Sequence, residues 1–247
     1  AIWNGTGNDY LELLRNVMSM DLPVKHAVAY AGYTEHDGKR WWVTKNHKIT
    51  NHEEPESLAI LKSHGEDNIG NRVTYAPEVI GKDEIESFVK ELSMVHKSSS
   101  ETTYPIMGWL WASFIKPLVS KQNHRRFPFL MISGTYGSGK TAFIQEIVWP
   151  FCGINDSTNF SCSSTKLPIE RTMSCSSSIP VWFDEFKNDM GQSKMESFER
   201  LLRRAYGCEE ETRGRPDQST YTITFRSPVI VTGESEPQDS ALRERFV

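Results

Sequence analysis

The sequence predicts an α/β protein: a mostly parallel sheet covered by helices, with a smaller α+β region ahead of it. Three observations carry this expectation. From about Phe127 onward, apolar strand-like runs alternate with helical ones, as parallel strands joined by crossover helices require. The run FPFLMIS passes straight into a glycine-rich turn, GTYGSGKT, and the helical KTAFIQEIV follows it. Residues 1–125 carry a different mix, a hairpin pattern and helices without that alternation.

Taken in order, residues 8–20 (NDYLELLRNVMSM) space apolar side chains as a helix does. The stretch HAVAYAGYTEHDGKRWWVT reads as two strands around an Asp37-Gly38 turn. A polar stretch runs from Asn46 to about Asn71. KDEIESFVKELSMVH and YPIMGWLWASFIKPLV then read as helices, the second apolar enough to place Trp109 and Trp111 in the core. A boundary is expected near residue 125, dividing the chain into 1–125 and 126–247. Beyond it come the strands FPFLMIS, TNFSC, IPVWF, STYTITF and SPVIVTG and the helices KTAFIQEIV, LPIERTM and KMESFERLLRRAYG. Serine runs at 98–100 and 176–178 are the only low-complexity patches.

Composition narrows the function classes. Hydrophobic content of 38%, charged content of 24% and a net charge of −4 describe a globular chain without a bulk basic field, so any nucleic-acid contact must be local. No apolar run reaches the roughly 20 residues a bilayer span needs, and the first ten residues lack the pattern of a signal peptide, so a cytoplasmic protein is expected. Cys152, Cys162, Cys175 and Cys208 form no Cys-x-x-Cys pair, and His47 and His52 sit in a polar stretch, so incidental thiols and no zinc site are expected. The chain has no initiating Met and stops at RERFV without a cap, which suggests a piece of a longer polypeptide.

The chemistry concentrates in two motifs. Gly134, Thr135, Tyr136, Gly137, Ser138, Gly139, Lys140 and Thr141 match the phosphate-binding pattern G-x-x-x-x-G-K-[ST]. Glycines let successive backbone N–H groups face phosphate oxygens, and the helix that begins there adds its positive end. Lys140 can reach the β- and γ-phosphates, and the Thr141 hydroxyl can hold Mg²⁺. A chance match in such a chain is on the order of one in a hundred, and the strand-to-helix context lowers it further. The second motif is IPVWFDEF, a strand ending in two acids. Asp184 is placed to organise the metal and Glu185 to activate the attacking water, since adjacent strand residues point to opposite sides. ATP and Mg²⁺ are therefore the expected ligands, and hydrolysis is favoured over transfer.

The strand SPVIVTGE followed by SEPQDSALRERF resembles the end of an AAA+ ATPase core. That resemblance implies a P-loop NTPase fold of AAA+ type, a sensor role for Glu234 with Thr232 as the alternative, and an arginine finger at Arg245, with Arg243 second, acting on a neighbouring subunit. A ring, such as a hexamer, follows from it. The family's fifth strand and helical lid are expected to be missing from this chain. RLLRRAYGCEEETRGRPDQSTYTITF reads as a helix and a β-hairpin with Arg213 and Arg215 near the tip. With PFLMISGTYGSGKT it is similar to the ATPase portion of superfamily 3 and minichromosome-maintenance-type helicases, in particular of phage, plasmid and mobile-element primase-helicases. The resemblance covers residues 127–247 and implies a replicative motor on single-stranded or forked DNA, with Arg213 and Arg215 on the DNA. Two alternatives stay open: a protein remodeller, disfavoured by the polar KNDMGQSKM, and a replication scaffold with little turnover, disfavoured by Glu185.

Overall fold

The computed structural model describes residues 7–20, 26–44, 48–50, 58–60, 69–74, 80–95, 101–124, 126–156, 159–187, 191–214 and 218–247. His47, His52 and Arg215 lie outside the described residues.

The chain opens with α1 (Gly7–Met18), whose apolar side chains are all exposed. Next come β1 (His26–Val28), β2 (Gly32–His36), β3 (Lys39–Val43), β4 (Lys48–Ile49) and β5 (Leu58–Ile60). β2, β3 and β4 form an antiparallel sheet in that order. The turn between β2 and β3 holds Asp37 and Gly38 at φ 49° and 73°, the pair of left-handed residues whose twist suits a two-residue hairpin. The expected first strand divides in two: β1 leaves the hairpin and pairs in parallel with β5. Helices α2 (Lys82–Leu92), α3 (Thr103–Phe114) and α4 (Lys116–Gln122) follow. Trp109 is buried in the core, and its indole N–H donates to the Pro128 carbonyl at 2.8 Å. Trp111 departs from expectation: it is 60% exposed, lying edge-on to Phe114 and Phe151, because α3 turns that side away from the sheet.

The second half contains β6 (Leu130–Ser133), then a helix running from α5 (Lys140–Phe143) through a wider π-turn at Ile144–Val148 into α6 (Trp149–Phe151). β7 (Phe160–Ser161), α7 (Lys166–Ser174), β8 (Val181–Phe186) and α8 (Gln192–Tyr206) come next, then β9 (Glu210–Gly214), β10 (Thr220–Thr224), β11 (Val229–Gly233) and α9 (Ser240–Arg243). β6, β11, β8 and β7 form a parallel four-stranded sheet in that spatial order. Its central strands β8 and β11 read VWF and VIV because both faces are covered. On β8, Trp182 packs edge-to-face on Trp149 of the helix after β6, while its neighbour Phe183 packs on Phe198 of α8. Helices therefore clothe opposite faces.

The expectation of a missing fifth strand is corrected. Phe129 N–H donates to the Arg245 carbonyl, and Val247 N–H to the Phe129 carbonyl, both at 2.9 Å. The Phe129–Phe246 bridge is parallel, so residues 245–247 extend the sheet beyond β6. Register decides this, since three residues carry no periodicity to read.

Contacts also cross the expected boundary near residue 125. The serine run at 176–178 is buried and bonded to the start of the hairpin: Ser177 Oγ donates to the Tyr33 carbonyl at 2.7 Å, and the Tyr33 N–H donates to Ser178 Oγ at 3.0 Å. Small hydroxyl side chains are needed there, because a Cβ on Gly32 would stand 2.8 Å from Ser177 Oγ and Ser178 Cβ. Lys116, at the start of α4, is buried, and its ammonium donates to the carbonyls of Arg226 at 2.6 Å and Ser227 at 3.1 Å.

Burial pulls the Lys116 pKa down to about 8. Between pH 8 and the ordinary lysine value near 10.5, the unfolded chain then holds more protons than the folded one, so this group makes stability rise with pH. Denaturant melts of wild type and Lys116→Met across that window should diverge in slope, wild type gaining on the order of 3 kcal/mol that the variant does not.

Candidate functional site

The glycine-rich loop joins β6 to α5. Gly137 and Gly139 take φ of 76° and 86°, values that a β-carbon disfavours, and Gly139 is the residue before the helix. The Phe143 N–H donates to the Gly139 carbonyl, so the helix is closed from its first turn. The Lys140 ammonium donates to the carbonyls of Gly134 (2.7 Å) and Thr135 (2.9 Å) and to Ser138 Oγ (3.2 Å), which holds the loop in a ring around it. Tyr136 at the crest is almost fully exposed.

A cavity of about 420 Å³ opens over this loop, lined by residues 136–142 together with Asp184, Glu185, Lys187, Gly233 and Glu234. The structure thus brings the two sequence motifs and the end of β11 together. On the other side of the loop lies a cavity of about 520 Å³ with a mainly apolar lining, including Val95, Ile106, Ile132, Phe143 and Ile147.

Both acids face the first cavity because β8 does not keep its alternation. Phe183 pairs with Val231 and Phe186 with Gly233, so Asp184 and Glu185 together oppose the single residue Thr232. Glu185 adopts φ 65° at this bulge. Bulges re-aim side chains in this way. The two strands approach so closely that a Cβ on Gly233 would lie 2.2 Å from the Phe186 carbonyl oxygen. The expected opposition of Asp184 and Glu185 across the strand is therefore replaced by a shared cavity.

Asp184 is tightly held. Its Oδ1 accepts from the Thr232 hydroxyl at 2.5 Å and from the Glu185 N–H at 2.8 Å, and Asn159 Nδ2 lies 3.4 Å from Oδ2. Thr232 is fully buried and also accepts from the Trp182 indole N–H at 2.7 Å. Glu234 is exposed, ion-paired with Lys187 at 3.2 Å. Sequence reasoning missed Trp182 and Asn159: one read as part of the apolar strand IPVWF, the other as part of the short strand TNFSC, of which only Phe160–Ser161 forms a strand.

The donor set suits a hard cation that keeps most of its shell from elsewhere. Among the described residues, no group of three or more His, Cys, Asp or Glu could cage a metal. The Asp184 carboxylate and the Thr141 hydroxyl offer the one or two protein oxygens with which Mg²⁺ is satisfied when phosphates and water supply the rest.

The hairpin β9–β10 is antiparallel, with Arg213 opposite Tyr221. Arg213 turns inward: its guanidinium pairs with Glu170 of α7, whose side chain is fully buried, and with Glu211. Arg204 of α8 pairs with Glu211 and Glu209, and Lys166 with Glu170 and Glu211. The Arg204 guanidinium holds the Glu211 carboxyl down at about 2, while burial pushes Glu170 up. The acids among these arginines are therefore matched locally. Farther on, Asp239 caps α9 and pairs with Arg203. Arg245 lies over the Tyr206 ring and donates to the Arg203 carbonyl at 3.3 Å, whereas Arg243 is exposed.

Comparison with known proteins gives a fold. No protein-family model matches the chain, and no curated protein sequence does. Among solved structures it is similar to the active helicase SCCmec type IV Cch, with a TM-score of 0.58 at 16% identity, over 97% of this chain and 43% of that one. The chain shares that fold and spans less than half of that protein's length. Among the described residues, no helix is long and apolar enough to cross a membrane.

Two outcomes follow from the geometry. Arg213→Ala leaves the buried Glu170 with Lys166 and the more distant Arg204 alone and should cost about 2 kcal/mol in urea unfolding. Glu185→Asn places a residue that tolerates the left-handed backbone at the bulge; its melting temperature should match or exceed that of wild type.

Proposed function

We propose that this chain is the ATP-hydrolysing motor of a DNA helicase of AAA+ type, acting as a ring such as a hexamer. The observation that carries the reading is the shared cavity, in which loop 136–142, Asp184 and Glu185 meet across a parallel sheet. The fold shared with an active helicase supports the coupling to DNA.

In this reading the backbone of residues 134–139 cradles the phosphates at the start of the helix. Lys140 gives up its loop carbonyls for the β- and γ-phosphates, a movement its flexible stem allows. Thr141 and Asp184 would hold Mg²⁺, which when bound would neutralise the charge on the transferring phosphate. Glu185, exposed at the bulge, takes a proton from the attacking water. The apolar hollow beside Ile106, Phe143 and Ile147 receives the base, since it adjoins the same loop from the opposite side. Glu234, held by Lys187 at the cavity rim, reports on the γ-phosphate; Thr232, buried against Asp184, acts on the metal ligand instead.

Arg243, exposed at the end of α9, is offered to a neighbouring subunit's nucleotide ahead of Arg245, whose side chain lies over Tyr206 of α8 and donates to the Arg203 carbonyl. On the hairpin, Arg213 braces the strand against Glu170, and Arg215, two positions further along the sequence, is the residue proposed to contact the DNA backbone.

ATP turnover measured with and without single-stranded DNA tests this reading. DNA should raise the rate several-fold, Lys140→Ala should abolish it, and Arg215→Ala should reduce the DNA-dependent increment more than the DNA-free rate. Turnover indifferent to DNA would keep the ATPase and overturn the helicase.

A further inference from the structure

The buried chain from Trp182 through Thr232 to Asp184 has a direction. An indole N–H can only donate, and a threonine hydroxyl carries a single proton. Trp182 Nε1 lies 2.7 Å from Thr232 Oγ1, so the hydroxyl accepts there; its own proton is then committed to Asp184 Oδ1, 2.5 Å away. Without the indole, the hydroxyl could rotate and offer Asp184 a lone pair instead of a proton. Trp182 is itself immobilised, fully buried and edge-to-face on Trp149 beneath the glycine-rich loop's helix.

We infer that Trp182 is a positioning residue for the metal-binding carboxylate: it orients the Thr232 proton onto Asp184 Oδ1 and so presents Oδ2 to the cation. The inference rests on the cavity being a magnesium–nucleotide site. Oδ1 is already filled by the Thr232 hydroxyl and the Glu185 N–H, whereas among the described residues Oδ2 accepts only the long Asn159 contact of 3.4 Å. The carboxylate is thereby differentiated into one oxygen for the protein and one for the metal. Groups that hold a ligand from behind in this way typically change metal affinity by about 10- to 100-fold when removed.

The test is equilibrium binding of ATPγS, by displacement of a fluorescent ATP analogue, in Mg²⁺ and in EDTA. The quantity read is the tightening that Mg²⁺ produces. Trp182→Phe, which keeps an aromatic ring and loses the N–H, should cut that tightening about tenfold and leave the EDTA affinity within twofold. Thr232→Val should do the same, and Thr232→Ser should restore wild-type tightening. A packing role alone would weaken binding equally in both buffers and would not be rescued by serine.

Should Trp182→Phe fail to fold, the indole N–H of Trp182 in the wild-type protein remains readable. It should be strongly protected from hydrogen exchange and lose at least about tenfold of that protection in Thr232→Val. Full magnesium-linked tightening in Trp182→Phe, or an indole proton indifferent to Thr232→Val, overturns the inference while the nucleotide site stands. A wild-type protein whose ATPγS affinity ignores Mg²⁺ overturns the reading of the cavity and this inference together.

Discussion

The close pairing of β8 with β11 is the constraint on which the site depends. Gly233 lets the Phe186 carbonyl approach to a distance no side chain would permit, and the extra residue this forces into β8 is absorbed at Asp184 and Glu185. A regular strand would bury one acid and expose the other. The bulge places both over the glycine-rich loop, at the cost of a left-handed backbone at Glu185. Strain of this kind persists where neighbours over-determine it, and here Thr232, Trp182 and the flanking pairs do so.

The first half of the chain is joined to this sheet by polar groups as much as by apolar packing. Ser176, Ser177 and Ser178 are buried with their hydroxyls bonded to backbone, and Lys116 spends its charge on two carbonyls at the approach to β11. Such contacts are directional, so they hold one register between the hairpin β2–β3 and the strands behind it. Each is costly to leave unmade, which ties the hairpin's placement to the integrity of the sheet.

The second hairpin is held by charge. Glu170 has no solvent and is matched by Arg213 and Lys166, while Glu211 draws Arg204 to the same point. One buried carboxylate thus links α7, α8 and β9. A cluster that reads along the chain as a basic patch interrupted by acids is, in space, a neutralised brace, and the outward charge belongs to fewer residues than the sequence suggests.

How much of this was legible beforehand follows from the range of each interaction. Local patterns determined the α/β class, the order of strands and helices after Phe127, the Asp37-Gly38 turn and the pairing of a glycine-rich loop with an acidic strand end. Each is written within a few neighbouring residues, by periodicity or by the backbone freedom of glycine. The helix 192–206 and the hairpin after it were legible for the same reason. Only the tertiary structure decided that 245–247 extends the sheet, that Trp111 faces outward, that the bulge re-aims Asp184 and Glu185, and that Trp182 stands behind Thr232. Those depend on contacts between residues tens of positions apart: Trp182 and Thr232 are 50 apart, and Arg213 and Glu170 are 43 apart. No window along the chain holds both members of such a pair, so the proton direction at Asp184 and the inward turn of Arg213 exist only once the strands and helices have packed.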